Sequence, residues 1–195
     1  MSKDGLIPKV FSEVHEKFRT PAKNNLLFML IVSVFAAFIP ARVVGEMTSI
    51  GTLFAFILVC LGVLVMRKRM PEAPRAFSTP LVPFVPIAGV LVCLFMMVFL
   101  PLDTWIRLIV WMMIGFDLYL FYGMKNSVLN KDGYSLKNQK TVAGTGLAMV
   151  LILIVIAFIH HNDPSIDDVY LFYFSLFFSI VHVLIYGYSF KKSKL

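Results

Sequence analysis

The chain has 195 residues, of which 59% are hydrophobic and 15% are charged, and its mean hydropathy is +0.84. About a quarter of the residues of a soluble domain are charged, so this composition excludes a soluble globular protein and indicates an integral membrane protein. The net charge of +7 does not indicate a nucleic-acid partner, because the basic residues lie between apolar runs, where they set topology.

The first 23 residues are predicted to be a cytoplasmic amphipathic segment. Within residues 5–19, charged side chains lie off an apolar stripe with steps of three and four, a pattern typical of a helix in the membrane interface. Proline lacks an amide hydrogen and biases the preceding residue away from helix, so Thr20-Pro21 should end this helix. The stripe consists of Ile7, Val10, Phe11, Val14 and Phe18.

Six apolar runs follow, and each predicts one transmembrane helix. The clearest run is Met47–Met66, which has no charge and is flanked by Glu46 and by the basic cluster Arg67–Arg69. A helix of this length rises about 30 Å, the thickness of the hydrocarbon core of a bilayer. The predicted spans are Asn24–Ala41, Met47–Met66, Phe84–Leu100, Trp105–Met124, Thr141–Ile159 and Val169–Phe190.

Polar or proline-containing connections separate these spans. We expect Ala41–Glu46 to be a short loop, and Arg67–Pro83 to be an irregular basic loop because its four prolines exclude a regular helix. Lys125–Lys140 is predicted to be a polar linker, and His160–Asp168 a polar turn.

The distribution of basic residues predicts the orientation. Of the 18 Lys and Arg residues, all but Arg42 and Arg107 fall in segments that six spans place on one side of the membrane. Short loops rich in Lys and Arg stay in the cytoplasm, so we expect a multi-pass protein of the cell membrane with both termini cytoplasmic.

Three ordered segments resemble signatures of one transporter family. They read MSKDGLIPKVFSEVHEKFRTP, then VVGEMTSIGTLFAFILVCLGVLVMRKRMPE, then RAFSTPLVPFVPIAGV. They are similar to consecutive segments of cationic-type amino acid permeases of the amino acid–polyamine–organocation (APC) superfamily. The resemblance covers about residues 1–128.

This resemblance implies an all-α membrane protein with six transmembrane helices, the C-terminal portion of an inverted-repeat (5+5) transporter fold. Residues 24–128 would correspond to permease helices nine to twelve. Residues 129–140 would be a cytoplasmic linker, and residues 141–195 an additional helix pair with a basic tail.

The resemblance also implies what the chain lacks. Transporters of this fold bind substrate near the membrane midplane between broken helices, and those helices precede the region that this chain resembles. We therefore expect the C-terminal portion of a secondary-active amino acid transporter, which meets its substrate and coupling ion only through missing N-terminal helices and is inactive alone. The alternative is a small self-standing membrane scaffold or assembly protein.

Two glycines and two threonines of the second span are candidate gating or pathway residues. The helix that contains Gly51 and Gly62 resembles a gating arm of the family, although glycines also let membrane helices approach closely, which is the interpretation we prefer. Thr48 and Thr52 share one helix face and would suit an aqueous path, but a threonine hydroxyl in a helix commonly bonds its own backbone.

Asp117 is the one carboxylate inside a predicted span. An uncompensated charge there costs about 2.5–3.5 kcal/mol, which makes a proton or ion site the first hypothesis. The family has an apolar residue at this place, and Tyr119, Tyr122 and Lys125 lie within two turns. We therefore prefer a structural role, with the carboxyl protonated or bonded to a tyrosine.

Other reactive residue types show no catalytic or metal-binding spacing. Cys60 and Cys93 lie in apolar runs and lack CxxC spacing. His160 and His161 precede three aspartates, and we interpret this cluster as an exposed turn and not as a metal site. No nucleophile with a base, phosphate-binding loop or carboxylate pair is evident, so we expect neither an enzyme nor a cofactor. The aspartates are Asp163, Asp167 and Asp168.

Overall fold

A computed structural model describes most of the chain as helix. It describes residues 2, 4–8, 11, 13, 20–72, 74, 79–127, 136–163 and 169–192, with the backbone alone for 136–138 and 192. The described residues contain no strand. The helices are α1 (Ala22–Phe38), α2 (Ala41–Arg69), α3 (Phe84–Val98), α4 (Leu102–Leu118), a π-helical turn (Tyr119–Gly123), α5 (Met124–Asn126), α6 (Leu136–His161) and α7 (Val169–Lys192).

Four helical stretches are long and apolar enough to cross a membrane. They are Ala41–Arg69, Leu102–Asn126, Gln139–His161 and Val169–Lys191. Ala22–Phe38 and Phe84–Val98 are apolar but shorter. The protein is therefore a multi-pass, all-helical membrane protein in the part of the chain that the structure describes, and the count of six spans stays a prediction.

Two predicted connections are wrong in part. Ala41–Glu46 is the first part of α2 and not a loop, because a proline just before a helix removes only an amide that would have no intrahelical partner. Arg67–Arg69 form the last turn of α2, where cations interact favourably with the negative end of the helix dipole.

The later connections are shorter than expected. Lys125 and Asn126 are helical, α6 already begins at Leu136, and His160 and His161 are the last residues of that helix. In the predicted interfacial helix, residues 5–7 form a turn and a bend, and most of the remainder lies outside the described residues.

The chain divides into two compact units. One unit comprises residues 41–108, and the other comprises residues 1–40 with 109–195. In the first unit, α2 and α3 pack on a core of Ile50, Ile57 and Met97. Ile50 and Ile57 lie seven residues apart, so they share one face of α2. The indole nitrogen of Trp105 donates to the carbonyl of Met97 at 3.2 Å.

In the second unit, α6 packs against α7 along one row of buried residues on each helix, here called the seam. Successive residues of each row are alternately three and four positions apart. This spacing is that of two helices in a left-handed coiled coil, which keeps one row of residues facing the partner. The seam is rich in small residues, as is typical of helix contacts in membranes. The buried residues that follow this spacing are Gln139, Ala143, Gly146, Val150, Leu153, Ala157 and His160 in α6, and Phe172, Ser175, Ser179, His182, Tyr186 and Ser189 in α7.

Candidate functional site

A histidine and an aspartate meet inside the second unit. Nε2 of His182 in α7 lies 2.9 Å from Oδ2 of Asp117 in α4. His182 is 4% exposed, and the Asp117 side chain is 19% exposed. The two residues are 65 positions apart in the chain, so the contact joins two helices that the sequence alone does not pair.

Further contacts fix the imidazole and surround the carboxyl. Nδ1 of His182 lies 2.8 Å from the carbonyl oxygen of Phe178, one turn earlier in α7. The Phe178 ring lies 3.9 Å from the imidazole, centroid to centroid. Tyr186 donates its hydroxyl hydrogen to the carbonyl of Met113 at 3.1 Å and interacts electrostatically with Asp117. His182, Tyr186 and Asp117 therefore form one polar cluster in an apolar part of the chain.

The partner of Asp117 differs from the one that the sequence suggested. The tyrosine that interacts with the carboxyl is Tyr186 of α7, and the imidazole of His182 supplies the hydrogen bond. Sequence reasoning missed His182, although a histidine in the middle of the last apolar run is a signal, because ionisable side chains in membrane spans are rare and usually paired.

The candidate residues of α2 lie away from the contact with α3. The hydroxyl of Thr48 donates to the carbonyl of Val44 at 2.8 Å, and that of Thr52 donates to the carbonyl of Thr48 at 2.7 Å. A methyl group added at Gly51 or at Gly62 would meet no atom within 4 Å. Within the described residues, there is therefore open space beside both glycines of α2.

Close packing occurs instead at a glycine of α3. A methyl group added at Gly89 would lie 2.9 Å from the sulfur of Cys60. In the described part of this unit, Gly89 and not Gly51 or Gly62 therefore allows the close approach of α2 and α3.

A second polar cluster joins α2 to the start of α4 within residues 41–108. Arg107 pairs with Asp103 one turn earlier and lies 3.6 Å from Glu46 of α2. Fully buried Thr104 donates its hydroxyl to the same Glu46 carboxylate at 3.1 Å. Arg42 also approaches Glu46 at 3.6 Å, but its side chain is 79% exposed. The arrangement is a partly buried ion-pair network of the kind that holds helices together.

The histidines at the end of α6 have packing contacts. His161 stacks on Phe172 at a centroid distance of 4.2 Å, and His160 is buried. No three histidine, cysteine or carboxylate side chains come together to hold a metal ion among the residues described. Asp167 and Asp168, which the sequence groups with these histidines, lie outside the described residues.

The comparisons with known proteins agree on one family. Residues 77–127 match the family described as "C-terminus of AA_permease". The chain is 39% identical over 131 residues to the methylthioribose transporter of Bacillus subtilis and, to the same extent, to the branched-chain amino acid permease BcaP of that organism. Cationic amino acid transporter 4, vacuolar, of Arabidopsis thaliana is 21% identical over 248 residues, covering 69% of this chain and 41% of that protein.

These matches cover more of this chain than of its relatives. The two Bacillus subtilis alignments include 67% of this chain but 28% of either relative. All three relatives are named as transporters or permeases and not as enzymes. The matches confirm the resemblance found in the three sequence segments: the chain is similar to the C-terminal part of amino acid permeases of the APC superfamily.

Proposed function

We propose that this chain supplies the C-terminal helices of a secondary-active amino acid transporter that works by alternating access. The observation that carries the proposal is the 39% identity to the permease BcaP over 131 residues, which is joined by the permease family match at residues 77–127. Amino acid transport is the activity named for BcaP and for the cationic transporters. The substrate of the whole protein is accordingly an amino acid.

Residues 1–195 alone should bind and transport no amino acid. Substrate sites of inverted-repeat transporters use unwound backbone and half-helix ends near the midplane to hold an ammonium and a carboxylate. In the described residues, α2, α6 and α7 run without interruption, and the π-helical turn lies near the end of its span. The substrate and the coupling ion would therefore contact helices outside this chain.

We place six spans in the cell membrane with both termini in the cytoplasm. The helices α1 and α3 have 17 and 15 residues, lengths at or just below the lower limit for a span. Support comes from the charges: the end of α2 and the segments beside α5 and α7 are basic, whereas Arg42 and Arg107 lie at the opposite ends of their helices.

The face of α2 that carries Thr48, Gly51, Thr52 and Gly62 is proposed to meet the pathway or other helices of the full transporter. Support comes from its small and weakly polar side chains, and from the open space beside both glycines within the described residues. Glycine also allows a neighbouring helix to approach or a helix to bend.

A chimera tests the proposed function. The 131 aligned residues of BcaP are replaced by those of this chain, and uptake of radiolabelled branched-chain amino acids is measured in a strain that lacks its own permeases. We expect saturable uptake from the chimera and none from residues 1–195 expressed alone. BcaP without its aligned region is the negative control.

Either of two outcomes would overturn the proposal. Saturable uptake by residues 1–195 would place a complete site within these helices. A chimera that reaches the membrane at normal abundance but takes up no more than truncated BcaP would favour the alternative, a self-standing scaffold or assembly protein.

A further inference from the structure

The hydrogen bonds of His182 determine which of its nitrogens carries a hydrogen. Nδ1 lies 2.8 Å from the carbonyl oxygen of Phe178. A carbonyl oxygen accepts and never donates, so Nδ1 must carry the hydrogen of this bond. In a neutral imidazole the other nitrogen, Nε2, is then an acceptor with a lone pair.

The contact between His182 and Asp117 therefore needs one more proton. Nε2 and Oδ2 are 2.9 Å apart, and two acceptors at that distance repel each other. A proton on the carboxyl gives a neutral acid that donates to Nε2, whereas a proton on Nε2 gives an imidazolium that donates to a carboxylate. In both forms the pair holds a single shared proton and has no net charge.

We propose that Asp117 and His182 form a proton-binding site inside the membrane, in which one bound proton closes the contact between α4 and α7. Loss of the proton would leave a carboxylate facing the lone pair of a largely buried imidazole, an arrangement that opens the contact. The second carboxyl oxygen, Oδ1 of Asp117, is buried with no hydrogen-bond partner among the described residues, so it offers an acceptor to a water molecule that delivers or removes the proton.

Apart from the pair itself, the helices around Asp117 and His182 carry few ionisable side chains. In the sequence, the stretch between Arg107 of α4 and Lys125 of α5 has no charged side chain except Asp117, and α7 has none before Lys191. The stretch of α6 between Lys140 and His160 contains no titratable side chain. The other ionisable side chains nearby are the phenols of Tyr186 in α7 and of Tyr119 and Tyr122 in the π-helical turn.

The first experiment measures the proton directly. Residues 1–195, labelled with ¹⁵N-histidine, are placed in lipid bilayers and titrated from about pH 5 to about pH 8, the range in which histidines change charge. The histidine nitrogens and the carboxylic acid C=O infrared band are followed together. We expect one protonation step that appears in the Nε2 signal of His182 and in the carboxyl band.

Three variants assign that step. Asp117→Asn and His182→Gln should each abolish it, whereas His161→Gln, which removes a histidine at the end of α6, should leave it unchanged. Survival of the step in both pair variants, or its absence from the wild-type chain, would overturn the proposal.

The second experiment tests whether the proton holds the helices together. Spin labels at Trp111 of α4 and Leu184 of α7, both exposed, report the distance between the helices in a background with Cys60→Ala and Cys93→Ala. In the wild type, the distance or its spread should increase when the proton is lost. Asp117→Asn should hold one distance at every pH, because its amide donates to Nε2 without a titratable proton. An identical distance on both sides of the wild-type step would show a merely structural pair and defeat the proposal.

Discussion

Tyr186 lies against the backbone of Gly146 so closely that a methyl group added there would sit 2.7 Å from the phenol ring. The Tyr186 ring is fully buried in the seam between α6 and α7, and its hydroxyl is held by the carbonyl of Met113. The ring cannot move without the loss of packing or of that hydrogen bond. Gly146 is therefore the place where the close approach of the two helices depends on glycine.

Substitution Gly146→Ala should destabilise the protein. Overpacking costs about 1–3 kcal/mol, and the better helix propensity of alanine returns about 1 kcal/mol, so we expect a net loss of up to about 2 kcal/mol. The free energy of unfolding is measured by titration of mixed micelles with a denaturing detergent. Gly144→Ala is the matched control on the same helix, because its added methyl group meets no atom within 4 Å. It should be neutral or stabilising, and a reversed order would contradict the described packing.

Substitution Arg107→Met should weaken the unit formed by residues 41–108. It leaves the carboxylates of Asp103 and Glu46 without their shared cation, and their side chains are only 18% and 15% exposed. We expect a loss of about 1–3 kcal/mol, less than for a fully buried pair. Methionine keeps the apolar stem of arginine, so the change tests the charge more than the packing.

The control for Arg107→Met is Arg42→Met, which removes an exposed cation from the same glutamate. An exposed pair contributes about 0–1 kcal/mol, so this variant should keep nearly its full stability in the same detergent titration. Equal losses from the two substitutions would show that solvent screens the whole cluster.

Single cysteines at Ser127 and Asn162 should label from opposite sides of the membrane. The excess of Lys and Arg beside α5 predicts that Ser127 lies in the cytoplasm, and the proposed topology then has α6 carry the chain across the membrane to Asn162. Cys60 and Cys93 are first replaced by alanine, and a membrane-impermeant thiol reagent is added to intact cells. Labelling at Asn162 alone is expected, with both positions labelled after lysis. Labelling of Ser127 in intact cells would be incompatible with a cytoplasmic C-terminal end of α5.

In the BcaP chimera, Thr52→Val should lower amino acid uptake if the small-residue face of α2 meets the pathway. Valine keeps the shape of threonine and removes a hydroxyl that bonds only to its own helix. Ser49→Ala is the control, because the Ser49 hydroxyl also donates to its own helix, at 2.9 Å to Gly45, while its side chain projects about 60° around the helix axis from that of Thr52. A similar loss in both variants would indicate a general effect on α2 and not a pathway residue.

The sequence predicted the apolar runs well because hydrophobicity alone decides where a helix can cross lipid. The predicted runs Met47–Met66 and Val169–Phe190 lie inside the observed α2 and α7. The ends were less accurate, because Ala41–Glu46 and Arg67–Arg69 are polar or charged but remain helical. Loss of hydrophobicity marks the edge of the membrane, not the end of the helix.

The site was predicted only in part, since Asp117 stood out by its charge but its partner did not. Two helices of similar hydropathy give no signal that Asp117 of α4 meets His182 of α7. In α7, His182 belongs to the buried residues that recur with heptad spacing. That spacing is hard to recognise because serine, histidine and tyrosine occupy positions where apolar residues are the usual signal.

The π-helical turn Tyr119–Gly123 determines the direction in which the side chains after it point around the helix axis. A π-helical turn closes hydrogen bonds over five residues where an α-helix uses four, and the amide of Met124 here reaches back to the carbonyl of Tyr119. If the same residues formed a regular α-helix, everything after them would be rotated by about 100°, because the π-helical turn takes up one additional residue. Met124, which is 2% exposed, would turn outward, and Lys125 would point in a different direction. The one additional residue thus sets the direction in which Lys125 points around the helix axis, independently of the direction of Asp117.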